Sequence, residues 1–120
     1  MKYFNLIIAG GRDFFDYALL KDSVSDLLAD KVAEFEIVIV SSTVRGGDML
    51  GEAYACEFGY EVAEFPYDHV EGDMVECYCN SQMLKFADAC ICFWDGMSKG
   101  TKQLIDLATA SQLPLRVISY

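Results

Sequence analysis

The sequence predicts an α/β fold, a Rossmann-like three-layer sandwich with a mostly parallel five-stranded sheet. Three observations predict it. Short apolar runs alternate with segments whose apolar residues fall at helical spacing, in the order β-α-β-α-β-α-β-α-β. Runs such as "FEIVIVS" are continuous rather than alternating, as suits strands buried on both faces. Glycines and polar residues gather behind the strands, in "GGRDF", "STVRGGD" and "DGMSKGT", whereas "ADKVAEFE" and "SQLP" lack them.

The elements follow in order. Tyr3 to Ala9 read as the first strand. Leu20, Val24, Leu27 and Leu28 mark an amphipathic helix. Phe35 to Ser41 form the second strand, β-branched throughout its centre. Leu50, Ala53, Tyr54 and Glu57 step along a second helix, which Gly59 is suited to end. Tyr60 to Phe65 alternate as a third strand, and Pro66 stops it. Residues 67–75 read as a loop with a helix start, and that helix continues through Met83 to Phe86. "ADACICFW" is the fourth strand. Leu104, Ile105 and Ala108 share one face of a helix from Thr101 to Ala110. Pro114 then precedes the last strand, "LRVIS".

Bulk properties bound the function. A chain of 120 residues, 53% hydrophobic with mean hydropathy +0.22, fits one packed domain spanning 1–120. No apolar run is long enough to cross a bilayer, and the first residues lack a cleavage-site pattern. The expected setting is cytoplasmic. A formal net charge of -10 repels nucleic acid at long range but leaves room for a small anion held by local dipoles and a few cations. On charge alone, a DNA-mimicking inhibitor also fits. The five cysteines are Cys56, Cys77, Cys79, Cys90 and Cys92, and an odd count without a leader suggests reduced thiols. Cys90 and Cys92 sit in a strand-like run, the C-x-C spacing differs from zinc knuckles, and His69 is the sole histidine. No metal and no cofactor is expected.

Ligands of an open parallel sheet bind beyond the carboxyl ends of its strands, so the candidate site lies in the turns that follow them. Gly10 and Gly11 allow close approach of a ligand to the backbone, and Arg12 can fork onto a phosphate; the plainer reading is a tight turn with an exposed arginine. Ser41, Ser42 and Thr43 offer hydroxyls, or simply a strand-end turn. Arg45 adds charge, and Gly46 and Gly47 lead to Asp48, which is favoured as a helix N-cap over a ribose ligand. Asn80 can hydrogen-bond a ribose or base. The clearest anion cradle is "GMSKGT": Gly96 and Gly100 expose amides, Ser98 and Thr101 supply hydroxyls, Lys99 supplies charge, and a helix N-terminus follows. It is not a Walker A loop, and "GGRDFF" is not G-x-G-x-x-G. Trp94 is more simply core than a stacking surface, and Asp95 is a carboxylate beside the cradle.

Four stretches, "IIAGGRDF", "VSSTVRGGDMLGEAYA", "CNSQML" and "FWDGMSKGT", run nearly the whole chain and resemble the YspA-like branch of the SLOG superfamily. Its Rossmann-like domains include relatives of the DNA-processing protein DprA and the Lonely Guy cytokinin-activating enzymes, and its branch members are often phage-borne or bacterial. The resemblance implies a nucleotide or nucleotide-derived ligand. Where that branch usually has "SGGARGAD", Ser42 and Thr43 here replace two glycines and Gly47 replaces the alanine. Cys79 stands before Asn80 where an arginine is usual, and Leu104 stands where the Lonely Guy loop carries its glutamate.

The leading expectation is a small domain that binds a nucleotide-derived ligand as a sensor or sequestering protein. The alternative is a nucleotide N-glycosidase or phosphoribohydrolase-like hydrolase using Asp48 and Asp95, one carboxylate stabilising an oxocarbenium-like ribose and the other steering water. Third stands an acidic protein-interaction module. The expected partner is a small molecule, with no nucleic acid and no membrane, and a homo-oligomer is compatible with such a domain.

Overall fold

In a computed structural model, residues 2–11, 13–41, 47–64 and 82–120 are described, with 47 and 48 described by their backbone. The strands are β1 (Lys2–Gly10), β2 (Phe35–Ser41), β3 (Glu61–Glu64), β4 (Ala89–Trp94) and β5 (Leu115–Ser119). The helices are α1 (Tyr17–Leu28), α2 (Gly47–Phe58), a helical stretch over residues 82–86 (α3), and α4 (Lys99–Ala110). All strands are parallel, in the order β3-β2-β1-β4-β5. The expected α/β class holds, and the sheet is parallel throughout. No helix among the described residues is long and apolar enough to cross a membrane.

Strand alternation sorts the apolar side chains into two layers. On β4, Ala89, Ile91 and Phe93 face one layer, shared with Leu20 and Val24 of α1 and with Tyr54 and Ala55 of α2. Cys90 and Cys92 face the other, shared with Met83 of α3 and Leu104 of α4. Helices therefore cover both faces, which is why the central strands carry unbroken apolar runs. Cys90 and Cys92 are fully buried thiols with sulfurs 3.5 Å apart, while the Cys56 thiol is exposed. Cys77 and Cys79 lie outside the described residues.

Local chemistry sets the helix ends. Asp16 caps α1, its Oδ1 accepting the Leu19 N–H at 3.1 Å. Gly59 ends α2 at φ +73, and the Tyr60 N–H returns to the Ala55 carbonyl at 2.8 Å while the Tyr60 ring meets Tyr54 at 6.1 Å. That is a left-handed glycine stop with its apolar contact. The same motif ends α4, but there the left-handed residue is Gln112 at φ 59, with the Leu113 N–H on the Ala108 carbonyl at 3.0 Å. Gly51 has a different role. It lies against Ile8 of β1, and a Cβ there would come within 2.9 Å of the Ile8 Cβ. The glycine is what lets α2 sit close on the sheet.

The helix α4 starts at Lys99 rather than Thr101 because Asp95 organises the turn before it. Its Oδ1 accepts the N–H groups of Met97 at 2.8 Å and Ser98 at 2.9 Å. The sheet ends in two exposed edges. On one side is the four-residue β3, "EVAE", and on the other is β5.

Candidate functional site

From β1 the chain winds outward through β2 and β3, and from β4 it winds the other way to β5. The direction reverses between β1 and β4, so their carboxyl ends bound the crevice where such sheets take ligands. Gly10 pairs with Phe93, and the Gly11 N–H donates to the Phe93 carbonyl at 3.3 Å. The "GGRDF" and "DGMSKGT" turns, distant in sequence, thus leave the sheet side by side.

Each residue of the second turn has a definable place. Asp95 is held ionised, below its ordinary 3.8, chiefly by the Met97 N–H and then the Ser98 N–H. Gly96 takes φ +86 with open space where a Cβ would be, so glycine serves backbone shape there and not close approach. The half-buried Trp94 donates its indole N–H to the Ser98 carbonyl at 3.0 Å, which folds its ring along the first turn of α4. Ser98 is the N-cap by position, yet its hydroxyl makes no cap bond and instead donates to Thr101 Oγ1 at 3.3 Å. Thr101 is buried, Gly100 half-buried, and Lys99 exposed. Beside this turn lies an open concavity of ≈ 510 Å³ lined by Trp94, Met97, Lys99, Lys102, Asp106 and Leu107 among others. Its charges are two lysines and one aspartate, and Lys102 holds Asp106 at 2.9 Å. It is a locally cationic surface on an acidic protein.

The first turn is arranged otherwise than the glycine pair suggests. Tyr120 follows β5, and its hydroxyl donates to Asp13 Oδ1 at 2.8 Å. Its ring packs on Phe14 at 4.6 Å, and Phe14 stacks on Phe93 at 4.7 Å. A Cβ on Gly11 would overlap the Tyr120 hydroxyl. The room left by this glycine is therefore filled by the protein's own tyrosine. Burial first, and the Asp13 carboxylate second, push the Tyr120 phenol well up, so it is a protonated donor throughout the ordinary pH range.

Of the other expected site residues, Ser41 is buried with its hydroxyl donated to Glu52 of α2 at 2.8 Å. That bond ties the end of β2 to α2 and turns the hydroxyl away from ligand duty. Arg12, Ser42, Thr43, Arg45, Gly46 and Asn80 lie outside the described residues, as does the Asp48 side chain. Met97, Lys102 and Leu107 of the concavity, and Asp13 and Tyr120 at the first turn, were not singled out from sequence. Lys102 was findable, since it lies three residues after Lys99 on the same helical face. Tyr120 was not, because its partner Asp13 lies 107 positions away.

A second concavity, ≈ 530 Å³, opens at the opposite end of the sheet. Its charged lining includes Asp26, Asp30 and Asp88 against Lys31 and Arg116, and Arg116 pairs with Asp26 at 3.2 Å. An anion gains nothing there, so the carboxyl rim is the better candidate despite similar size. Among the described residues no group of three or more His, Cys, Asp or Glu is placed to hold a metal ion. No protein-family model matches the chain, and no curated protein matches it.

Proposed function

We propose that this chain is a small binding domain for a phosphorylated, nucleotide-derived ligand, held at the carboxyl rim between the β1 and β4 turns and the first turn of α4. The observation that carries the reading is the reversal of strand order between β1 and β4, where Gly10 pairs with Phe93 and the Gly11 N–H donates to the Phe93 carbonyl. The first-turn amides of a helix have no intrahelical acceptor, and the Ser98 hydroxyl does not take them. Lys99 and Lys102 supply charge next to those amides, and Trp94 and Leu107 supply an apolar wall for a base or ribose. The resemblance to the SLOG superfamily supports the same class of ligand.

A hydrolase is the weaker reading. Asp95 Oδ1 already holds two amides, which suits an ionised loop-builder better than a group that must exchange protons.

Thermal shift with AMP, ADP-ribose, NAD and a cyclic nucleotide tests the proposal, because a ligand of the native state raises the melting temperature. At least one probe should do so, and Lys99→Ala should weaken it by about tenfold to a hundredfold, the worth of one charge-assisted bond. Absence of any shift, or a shift indifferent to Lys99→Ala and Lys102→Ala alike, would refute it.

A further inference from the structure

We infer that Tyr120 is a displaceable plug over this site: a ligand that is to reach the backbone at Gly11 must first swing the Tyr120 side chain out. The inference rests on the proposed site and adds a gate to it. Gly11 is the position in the β1 turn where a missing side chain would admit a phosphate, but Tyr120 Oη overlaps the place a Cβ would take and Asp13 Oδ1 lies 3.0 Å from it. The phosphate and the tyrosine cannot both have that space.

Among the described residues three contacts hold Tyr120, two of them through its side chain, and none has to unfold the sheet to let that side chain swing. The hydroxyl donates to Asp13 at 2.8 Å. The ring packs on Phe14 at 4.6 Å. The Tyr120 N–H reaches the Trp94 carbonyl at 3.4 Å, one step beyond the Trp94–Ser119 register pair that ends the β4–β5 ladder. Tyr120 remains 40% exposed, so much of it already faces solvent. Displacement also changes the charge seen by a ligand. With the tyrosine in place, the Asp13 carboxylate accepts a hydrogen bond; with it gone, the carboxylate is bare beside the anion. The latch and the repulsion therefore work together, and both penalise binding.

A site that is closed for most of the time has an apparent affinity reduced by its open fraction. Loss of the hydroxyl alone should tighten binding by about threefold, and loss of the whole side chain by about tenfold, on the scale of one exposed hydrogen bond and one ring contact. Calorimetric titration with AMP, ADP-ribose, NAD and a cyclic nucleotide decides the matter on wild type, Tyr120→Phe, Tyr120→Ala and Asp13→Asn. The phenylalanine variant keeps the ring on Phe14 and guards against a folding defect in the alanine variant. The expected order of affinity is wild type weakest, then Tyr120→Phe and Asp13→Asn, with Tyr120→Ala tightest. Equal binding by all four proteins, or weaker binding by the variants, overturns the plug and leaves the site intact. No binding by any of them overturns the site and the plug together.

Discussion

Gly51→Ala sets helix propensity against packing, and the structure says which wins. Alanine in a helix interior is better than glycine by about 1 kcal/mol, so propensity alone predicts a more stable protein. The new Cβ, however, would stand 2.9 Å from the Ile8 Cβ and 3.0 Å from its Cγ2. Carbon atoms prefer about 3.5–4.0 Å, so one element must yield by roughly 0.6 Å. β1 is hydrogen-bonded to β2 on one side and β4 on the other, and Ile8 is 1% exposed, so α2 has to rise. Raising it loosens Tyr54 and Ala55 from the core they share with Ile8. Such overpacking costs about 1–3 kcal/mol, against a gain of about 1, for a net loss near 1 kcal/mol and a melting temperature lower by roughly 3–6 °C. Urea unfolding followed by circular dichroism measures this. Gly59→Ala is the comparison: nothing lies within 4 Å of its Cβ, and it should lose about 1 kcal/mol through its φ of +73 alone. In an Ile8→Ala background the cost of Gly51→Ala should shrink, while that of Gly59→Ala should not. A Gly51→Ala protein that gains stability equally in both backgrounds would refute the claim that α2 is pinned to β1 by the missing side chain.

Other perturbations give equally direct readings. Gln112→Gly should stabilise by about 1 kcal/mol in thermal unfolding, because φ 59 is strained for any residue with a Cβ. Asp16→Ala should cost about 1 kcal/mol by loss of the α1 cap, with Asp16→Asn close to neutral in the same assay. Glu57 is held below its ordinary 4.5 chiefly by the hydrogen bond from Lys21 and then by that from Tyr17, so its contribution is complete above that pH. It should fade as pH falls through the folded value, and Glu57→Gln should flatten the acid limb of urea midpoint against pH. The same sign holds for Asp95, below 3.8, where asparagine keeps an acceptor for the Met97 and Ser98 amides and alanine does not. Asp95→Ala should therefore lower the melting temperature more than Asp95→Asn.

Much of the fold was legible because the signals are local. Phe35–Ser41 and Leu115–Ser119 match the expected strands residue for residue, one marked by its β-branched run and the other fenced by Pro114. Gly59 reads as a helix stop from its residue type and holds that position. The spacing of Leu104, Ile105 and Ala108 places the start of α4 two residues late, because it reports the buried face and not the Asp95 turn that begins the helix. The site was less legible, for a physical reason. A glycine in a sequence announces that a side chain is missing but not what takes the room. At Gly11 it is Tyr120, at Gly51 it is Ile8, and at Gly96 it is open space. Only contacts across the fold distinguish these three.

The unequal borders of the sheet also bear on how copies of this molecule meet. One border is β3, only four residues long and carrying Glu61 and Glu64, which turns another acidic copy away. Growth of a fibre by adding ribbon to ribbon needs two receptive borders per molecule, and among the described residues the acidic β3 is a poor one, which leaves β5 as the better suited to meet a second copy.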